Sequence, residues 1–221
     1  LRFVFWEATV ACNLECIHCR RLDVSQFLSK EDLTTEEAKK LIMMLSMEFD
    51  PPPVLVLSGG EPLKRADIFE LARFAGSQNV PVALATNGTM VDEALAKEIV
   101  GSGIRRVSIS LDGATSDIHD DFRKMPGSFS RAVQGFQHLK SLGMSMQLNT
   151  TLTRHNVHQV DEIYRLALEL GAESLHHFLL VPVGCGLEIK KEFQLTSREY
   201  EDTLLKIHDQ AMEGMLHNQH V

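Results

Sequence analysis

Apolar and polar positions along the chain follow two alternating rhythms. Short runs rich in apolar and β-branched residues, at 3–8, 54–58, 82–85, 107–111, 146–151 and 175–181, read as strands. Between them the spacing turns helical. Ala38, Leu41, Ile42 and Leu45 fall at i, i+3, i+4 and i+7 and so share one helix face. Ile68, Leu71, Ala72 and Ala75 repeat that spacing, and Val160, Ile163, Ala167 and Leu170 follow it less strictly. Thr34 and Thr35 ahead of Glu36 and Glu37 mark a helix start, while Gly76, Gly103, Gly143 and Gly171 mark stops. A last helix is expected over 197–215.

Strict alternation of strand and helix implies a parallel sheet with right-handed crossovers. A full eight-unit barrel takes about 250 residues, so six units need about 190. The sixth expected strand ends at Val181. The expected fold is therefore α/β, a six-unit open (partial) TIM barrel with parallel strands and helices outside; a doubly wound flat sheet is the alternative. The barrel core is assigned to 1–186 and a C-terminal helical segment to 187–221.

Composition narrows the class. The 221 residues are 44% hydrophobic and 24% charged, which is globular composition and excludes disorder, collagen and coiled coil. No apolar run approaches the ~18 residues of a membrane span. A formal net charge of −8 argues against a general nucleic-acid binder, which needs a basic surface. Three of the four cysteines crowd into eight positions, too few for a disulfide scaffold and suited to metal ligation in a reducing, cytoplasmic compartment. A start at Leu1 inside a strand approach and an unpunctuated end at Val221 read as a piece of a longer protein. The methionines, including Met43, Met44 and Met47 on one helix, read as core filling.

The strongest chemical signal follows the first strand: Cys12, Cys16 and Cys19, with His18 beside the last. Three thiolates so close can wrap one soft metal centre. Zinc wants a fourth protein ligand, and His18 directly next to Cys19 makes joint tetrahedral ligation awkward. A four-iron cluster takes three cysteines and leaves one iron open, which the spacing favours. After the second strand comes Ser58-Gly59-Gly60-Glu61-Pro62, where paired glycines admit a ligand to the backbone and Glu61 offers an acceptor for an ammonium group. Asn87 follows the third strand. Ser110 and Asp112 end the fourth, with Arg123 beyond as a bidentate carboxylate partner; Asn149 marks the fifth. Each residue alone also fits an ordinary cap or turn. Together they fall at the C-terminal ends of parallel strands, the edge where such folds bind ligands.

These residues resemble the radical S-adenosylmethionine superfamily. Its cluster motif places three residues and then two between its cysteines, as Cys12, Cys16 and Cys19 stand, with an aromatic position filled by His18. Its glycine-glycine-glutamate-proline motif matches Gly59 to Pro62. The resemblance implies a [4Fe–4S] cluster on the three cysteines and S-adenosylmethionine on the open iron. Glu61 and the Gly59–Gly60 backbone would take its amino end and Arg123 and Ser110 its carboxylate. Asp112 or Asn149 would hold the ribose, and His18 and the backbone near Leu180 would line the adenine. Reductive cleavage would yield a 5′-deoxyadenosyl radical, with no protein base required.

Residues 4–9, 149–154 and 177–182 are similar to the tetrapyrrole-modifying branch, which includes the heme synthase of the siroheme-dependent pathway and the heme d1 biosynthesis proteins. That likeness implies a porphyrin propionate as substrate in heme or heme d1 biosynthesis, a low-potential donor such as ferredoxin or flavodoxin, and an auxiliary cluster in a C-terminal region. Arg20, Arg21 and Arg154 are candidate propionate partners, and Cys185 a candidate extra ligand. Of His176 and His177, adjacent on a strand, only one can face inward. The rivals are a peptide-modifying or quinone-cofactor maturase and, in another class, a non-catalytic zinc-binding module.

Overall fold

The computed structural model describes residues 1–19, 32–181 and 186–216. Six parallel strands form one sheet in chain order: β1 (Phe3–Thr9), β2 (Val54–Gly59), β3 (Val82–Thr86), β4 (Arg106–Ser110), β5 (Ser145–Leu152) and β6 (Ser174–Leu179). β1 and β6 are its two edges, so the barrel is open. The expected strands are all present, shifted by a residue or two at their ends. The largest shift is in β6, which stops at Leu179 instead of Val181.

The helices are α1 (Thr35–Glu48), α2 (Ile68–Ser77), α3 (Glu93–Gly101), α4 (Ser116–Arg123), α5 (Ser128–Ser141), α6 (Val160–Leu170), α7 (Gly186–Phe193) and α8 (Ser197–Leu216). α1 begins with a reciprocal capping box between Thr34 and Glu37, which satisfies backbone donors that its first turn leaves open. Two helices, not one, separate β4 from β5. The chain leaves α4 through Lys124 and Gly127, both at positive φ. Asp120 then accepts from the Gly127 and Phe129 amides and the Ser128 hydroxyl, which seats the start of α5. This break, and the short α7, carry no long hydrophobic period and escape a periodicity reading.

Period-2 alternation sorts the strand side chains onto two faces. Toward the helices, Leu57, Leu84, Val107 and Met146 stand at paired register positions across β2 to β5 and are all buried. Ile42, Ile68, Leu71, Ile99, Phe136 and Leu139 meet them from the helices. Small side chains occupy much of the opposite face, among them Ala83, Ala85, Ser108 and Ser110, so the centre of the sheet keeps a lumen. Phe3, Phe5 and Phe178, on the two edge strands, are exposed beside it. Met43, Met44 and Met47 are corrected from core to surface: α1 buries Ala38, Ile42 and Leu45, and Met47 is 83% exposed.

Among the described residues no helix is long and apolar enough to cross a membrane.

Candidate functional site: a cysteine-lined cleft on the strand rim

The residues after β1 form the wall of a cleft of about 240 Å³ at the C-terminal ends of the strands. Cys12, Cys16, Cys19 and His18 line it from that loop, Gly59, Gly60, Asn87, Ser110 and Asn149 from the strand ends, and Arg123 from the end of α4. The three thiols are free of disulfides. Leu14 N–H donates to Cys12 Sγ (3.4 Å) and Arg123 Nη1 to Cys16 Sγ (3.8 Å), so two sulfurs are met by donors that suit a thiolate. Burial pushes the Cys16 thiol up, and the Arg123 guanidinium opposes that shift.

Among the described residues no three Cys, His, Asp or Glu side chains close on a single metal ion. In a cubane each cysteine binds a different iron. The donor set fits a [4Fe–4S] cluster held by Cys12, Cys16 and Cys19.

The glycine pair has a reason that the sequence reading did not give. A Cβ on Gly59 or Gly60 would collide with the backbone of Thr9 or Ala11, at the head of the cysteine loop, and Gly59 sits at φ +121°. Gly60 N–H donates to Thr9 O (2.8 Å) and Glu61 N–H to Ala11 O (2.7 Å). The glycines therefore dock the cysteine loop onto β2 as well as lining the cleft.

Three expected ligand residues stand elsewhere. Glu61 is fully buried and does not line the cleft. Its carboxylate accepts from the Thr86 hydroxyl (2.8 Å), Asn87 N–H (2.8 Å) and Leu63 N–H (3.1 Å), which corrects its expected role on an ammonium group. Burial pushes its pKa up against those donors.

Asp112, also fully buried, accepts from Thr151 N–H (2.7 Å) and pairs with Arg123 Nη2, so it supports the guanidinium instead of facing a ribose. Burial, the largest influence, would raise its carboxyl, but Arg123 first, then His18, His119 and the Thr151 amide, together outweigh it and hold the group below the ordinary carboxylate range. Leu180 lies in a separate depression with Leu152, Leu179, Leu195 and Tyr200, and its N–H donates to Leu152 O.

Arg123 is the last residue of α4 and largely buried, not on a surface loop. Arg154 is bound to Glu199 on α8 (2.9 Å), away from the cleft. Arg20, Arg21 and Cys185 lie outside the described residues.

His18 stacks on Phe122 (4.4 Å between centroids, planes 6° apart), and Phe122 packs on His155 and Phe193. Desolvation lowers the His18 pKa to about 4, so its ring is neutral at pH 7. Thr86 and Thr151, at the strand ends that the sequence also marks, stand on the cleft wall beside Asn87 and Asn149, and sequence reasoning missed Phe178 there. It missed Asn13 too, whose amide donates to Thr89 Oγ1 and accepts from Asn87 Nδ2 (both 2.9 Å), clamping the cysteine loop to the end of β3. Polar residues at strand ends were the available signal.

An open parallel barrel with a three-cysteine loop on its ligand-binding rim defines an iron–sulfur enzyme that binds a small cofactor beside the cluster. Residues 6–167 match the family model "Radical SAM superfamily", and the chain belongs to that superfamily. It is 39% identical to an AdoMet-dependent heme synthase of Methanosarcina barkeri (strain Fusaro / DSM 804), over 97% of this chain and 60% of that one. It is 34% identical to the mycofactocin maturase MftC of Mycolicibacterium smegmatis, over 95% of this chain and 53% of the relative. The chain thus spans a little over half the length of these curated relatives. In fold it is similar to anSMEcpe with bound AdoMet (TM-score 0.80, 23% identity), covering 100% of this chain and 62% of that one.

Proposed function

We propose that this chain forms the catalytic core of an enzyme that oxidatively decarboxylates a propionate side chain of a tetrapyrrole. The observation that carries the chemistry is the convergence of Cys12, Cys16 and Cys19 with Gly59, Gly60, Ser110, Arg123 and Asn149 on one cleft. The likeness to a heme synthase over nearly the whole chain supports the substrate.

When bound, the cluster would supply the electron that cleaves the sulfonium and S-adenosylmethionine the group that takes a hydrogen atom from the propionate, which would become vinyl with loss of carbon dioxide and of one electron to an external one-electron acceptor. Cys12, Cys16 and Cys19 hold the cluster. The backbone of Gly59 and Gly60 takes the amino end of S-adenosylmethionine. Arg123, aimed by Asp112, holds the carboxylate together with Ser110, and the Asn149 amide holds the ribose. His18, neutral and stacked on Phe122, offers a flat wall to the adenine. These residues orient the cofactor and exclude water, and the hard chemistry belongs to the cofactors. A low-potential ferredoxin or flavodoxin supplies the electron.

Anaerobic incubation of the full chain with reductant, S-adenosylmethionine and iron-coproporphyrin tests the reading. The expected result is 5′-deoxyadenosine together with a porphyrin lighter by one carbon dioxide and two hydrogen atoms for each propionate converted to vinyl. A peptide altered in mass while the porphyrin stays intact would favour the second reading, a peptide maturase, which the likeness to MftC supports. Cys16→Ala is expected to abolish both the iron–sulfur absorption and 5′-deoxyadenosine. Cleavage retained in that variant would remove the ligand assignment.

A further inference from the structure

Below the cofactor cleft the lumen continues as a second chamber of about 270 Å³, sharing Ala85, Asn149 and Phe178 with it. Its walls are apolar at the edge strands, where Phe3, Phe5 and Phe178 stand, and polar along β5 and β6, where Gln147, Asn149 and His176 stand. The polarity of that second wall is set from its base.

Arg106 can only donate, and its Nη1 donates to Ser174 Oγ (3.3 Å). The Ser174 hydroxyl therefore passes its own proton on, to Gln147 Oε1 (3.3 Å). That fixes the glutamine amide with its nitrogen outward. Nε2 donates to Asn149 Oδ1 (2.7 Å) and to His176 Nδ1 (3.1 Å). Asn149 thus keeps its NH₂, and His176 must carry its proton on Nε2. Burial and the charge of Arg106 both lower the His176 pKa, so the ring is neutral. The Arg106 guanidinium is itself committed to Ser145, Ser174 and Glu173. One relay thus leaves the chamber wall with N–H donors and, among the described residues, no matching acceptor at His176 Nε2.

We propose that the β5–β6 wall of this chamber is a carboxylate-recognition site, in which His176 Nε2–H binds a substrate carboxylate and Gln147 is the positioning residue that fixes its tautomer. Phe5 and Phe178 receive the apolar body of the same ligand. The inference rests on the proposed function, naming the residue that reads the substrate's acid groups.

The test is an anaerobic titration of reconstituted holoenzyme with iron-coproporphyrin and with its tetramethyl ester, followed by the porphyrin absorption band. A parallel titration compares a short peptide bearing a free terminal carboxylate with its amide. Wild type is expected to prefer the acid by about tenfold, the worth of one charge-assisted hydrogen bond. His176→Phe should lose that preference with iron content and S-adenosylmethionine affinity unchanged, and His176→Gln, which keeps a donor, should restore part of it. Gln147→Glu should lose the preference and also weaken S-adenosylmethionine, because Asn149 loses its partner.

Equal binding of acid and ester would overturn the recognition site and leave the tetrapyrrole reading standing. Preference for the acid peptide, lost in His176→Phe, with neither porphyrin bound, would keep the site and sink the tetrapyrrole. An acid preference that survives His176→Phe, or no binding by any of the four probes, would overturn the assignment.

Discussion

Glu61 at the end of β2 and Asn149 at the end of β5 are polar side chains on the same rim of the same sheet, in opposite situations. Glu61 meets three donors from its own chain and no solvent. Around it Asn13, Asn87 and Thr89 bond one another, so the β2–β3 half of the rim is saturated. Asn149 has its oxygen satisfied by Gln147 and its nitrogen turned to a cleft, and His176 beside it, in the tautomer proposed above, meets no acceptor at Nε2 among the described residues. Saturated polar groups rigidify, because every alternative arrangement leaves a buried group unpaired. Unsaturated ones recognise. The side chains of the first half of the barrel rim thus fix the cysteine loop, and those of the second half leave hydrogen-bonding groups turned to the cleft.

The sharpest break of this comparison is Glu61→Ala against Asn149→Ala. Removing the Glu61 carboxylate strands the Thr86 hydroxyl and the amides of Asn87 and Leu63 in the interior, at an expected cost of about 3–5 kcal/mol. Asn149→Ala removes one half-buried partner and should cost about 1 kcal/mol or less. Urea unfolding of the full chain at constant m reads both. Equal losses would mean that the two halves of the rim are not different in kind.

Asp112 and Arg123 sit between the halves and test what buried charge does there. Asp112→Asn keeps the acceptor for Thr151 N–H but leaves the guanidinium uncompensated, at about 2–3 kcal/mol. Adding Arg123→Met should recover part of that loss, because the stranded charge goes with it. The double-mutant cycle in urea measures the coupling, and additive losses would show that the pair is not the contact that matters.

The barrel itself was legible from the alternation of short apolar runs with helical periods: β3 and β5 bury every second residue, β2 and β4 bury three in a row as central strands do, and Leu41 aside, the periodic residues of α1 and α2 are the buried ones. The ring of ligand-bearing strand ends was legible for the same reason, since alternation fixes where each strand stops. Direction of side chains on that ring was not. Whether Glu61 faces a ligand or Thr86 depends on a contact 25 residues away, and Asp112 is claimed by an arginine and an amide from two other elements. Arg154 reads as a rim cation until Glu199, 45 residues on, is seen to hold it. The Gln147–His176 relay joins residues on neighbouring strands, and only their register brings the two side chains together.

The comparison extends, at smaller scale, to the dipeptide His176-His177. His176 lines the chamber with one nitrogen bonded, whereas His177 points to the other face with its Nδ1 buried and unpartnered. Burial above all lowers the His177 pKa from 6.5 to about 4. The unfolded chain therefore takes up this proton near pH 6.5 and the folded chain only near pH 4. Between those values the unfolded state binds more protons, so stability falls as pH falls, at no more than ~1.4 kcal/mol per pH unit for one histidine. His177→Leu removes both the titration and the stranded nitrogen. Its stability relative to wild type should rise by about 1 kcal/mol between pH 8 and pH 5, the full slope being discounted because the ring is partly exposed. Thermal melts at the two pH values give the difference. An identical difference at both would place the ring in contact with solvent, and with it would go the contrast between a chamber-facing histidine that offers a proton and a helix-facing one that cannot accept it.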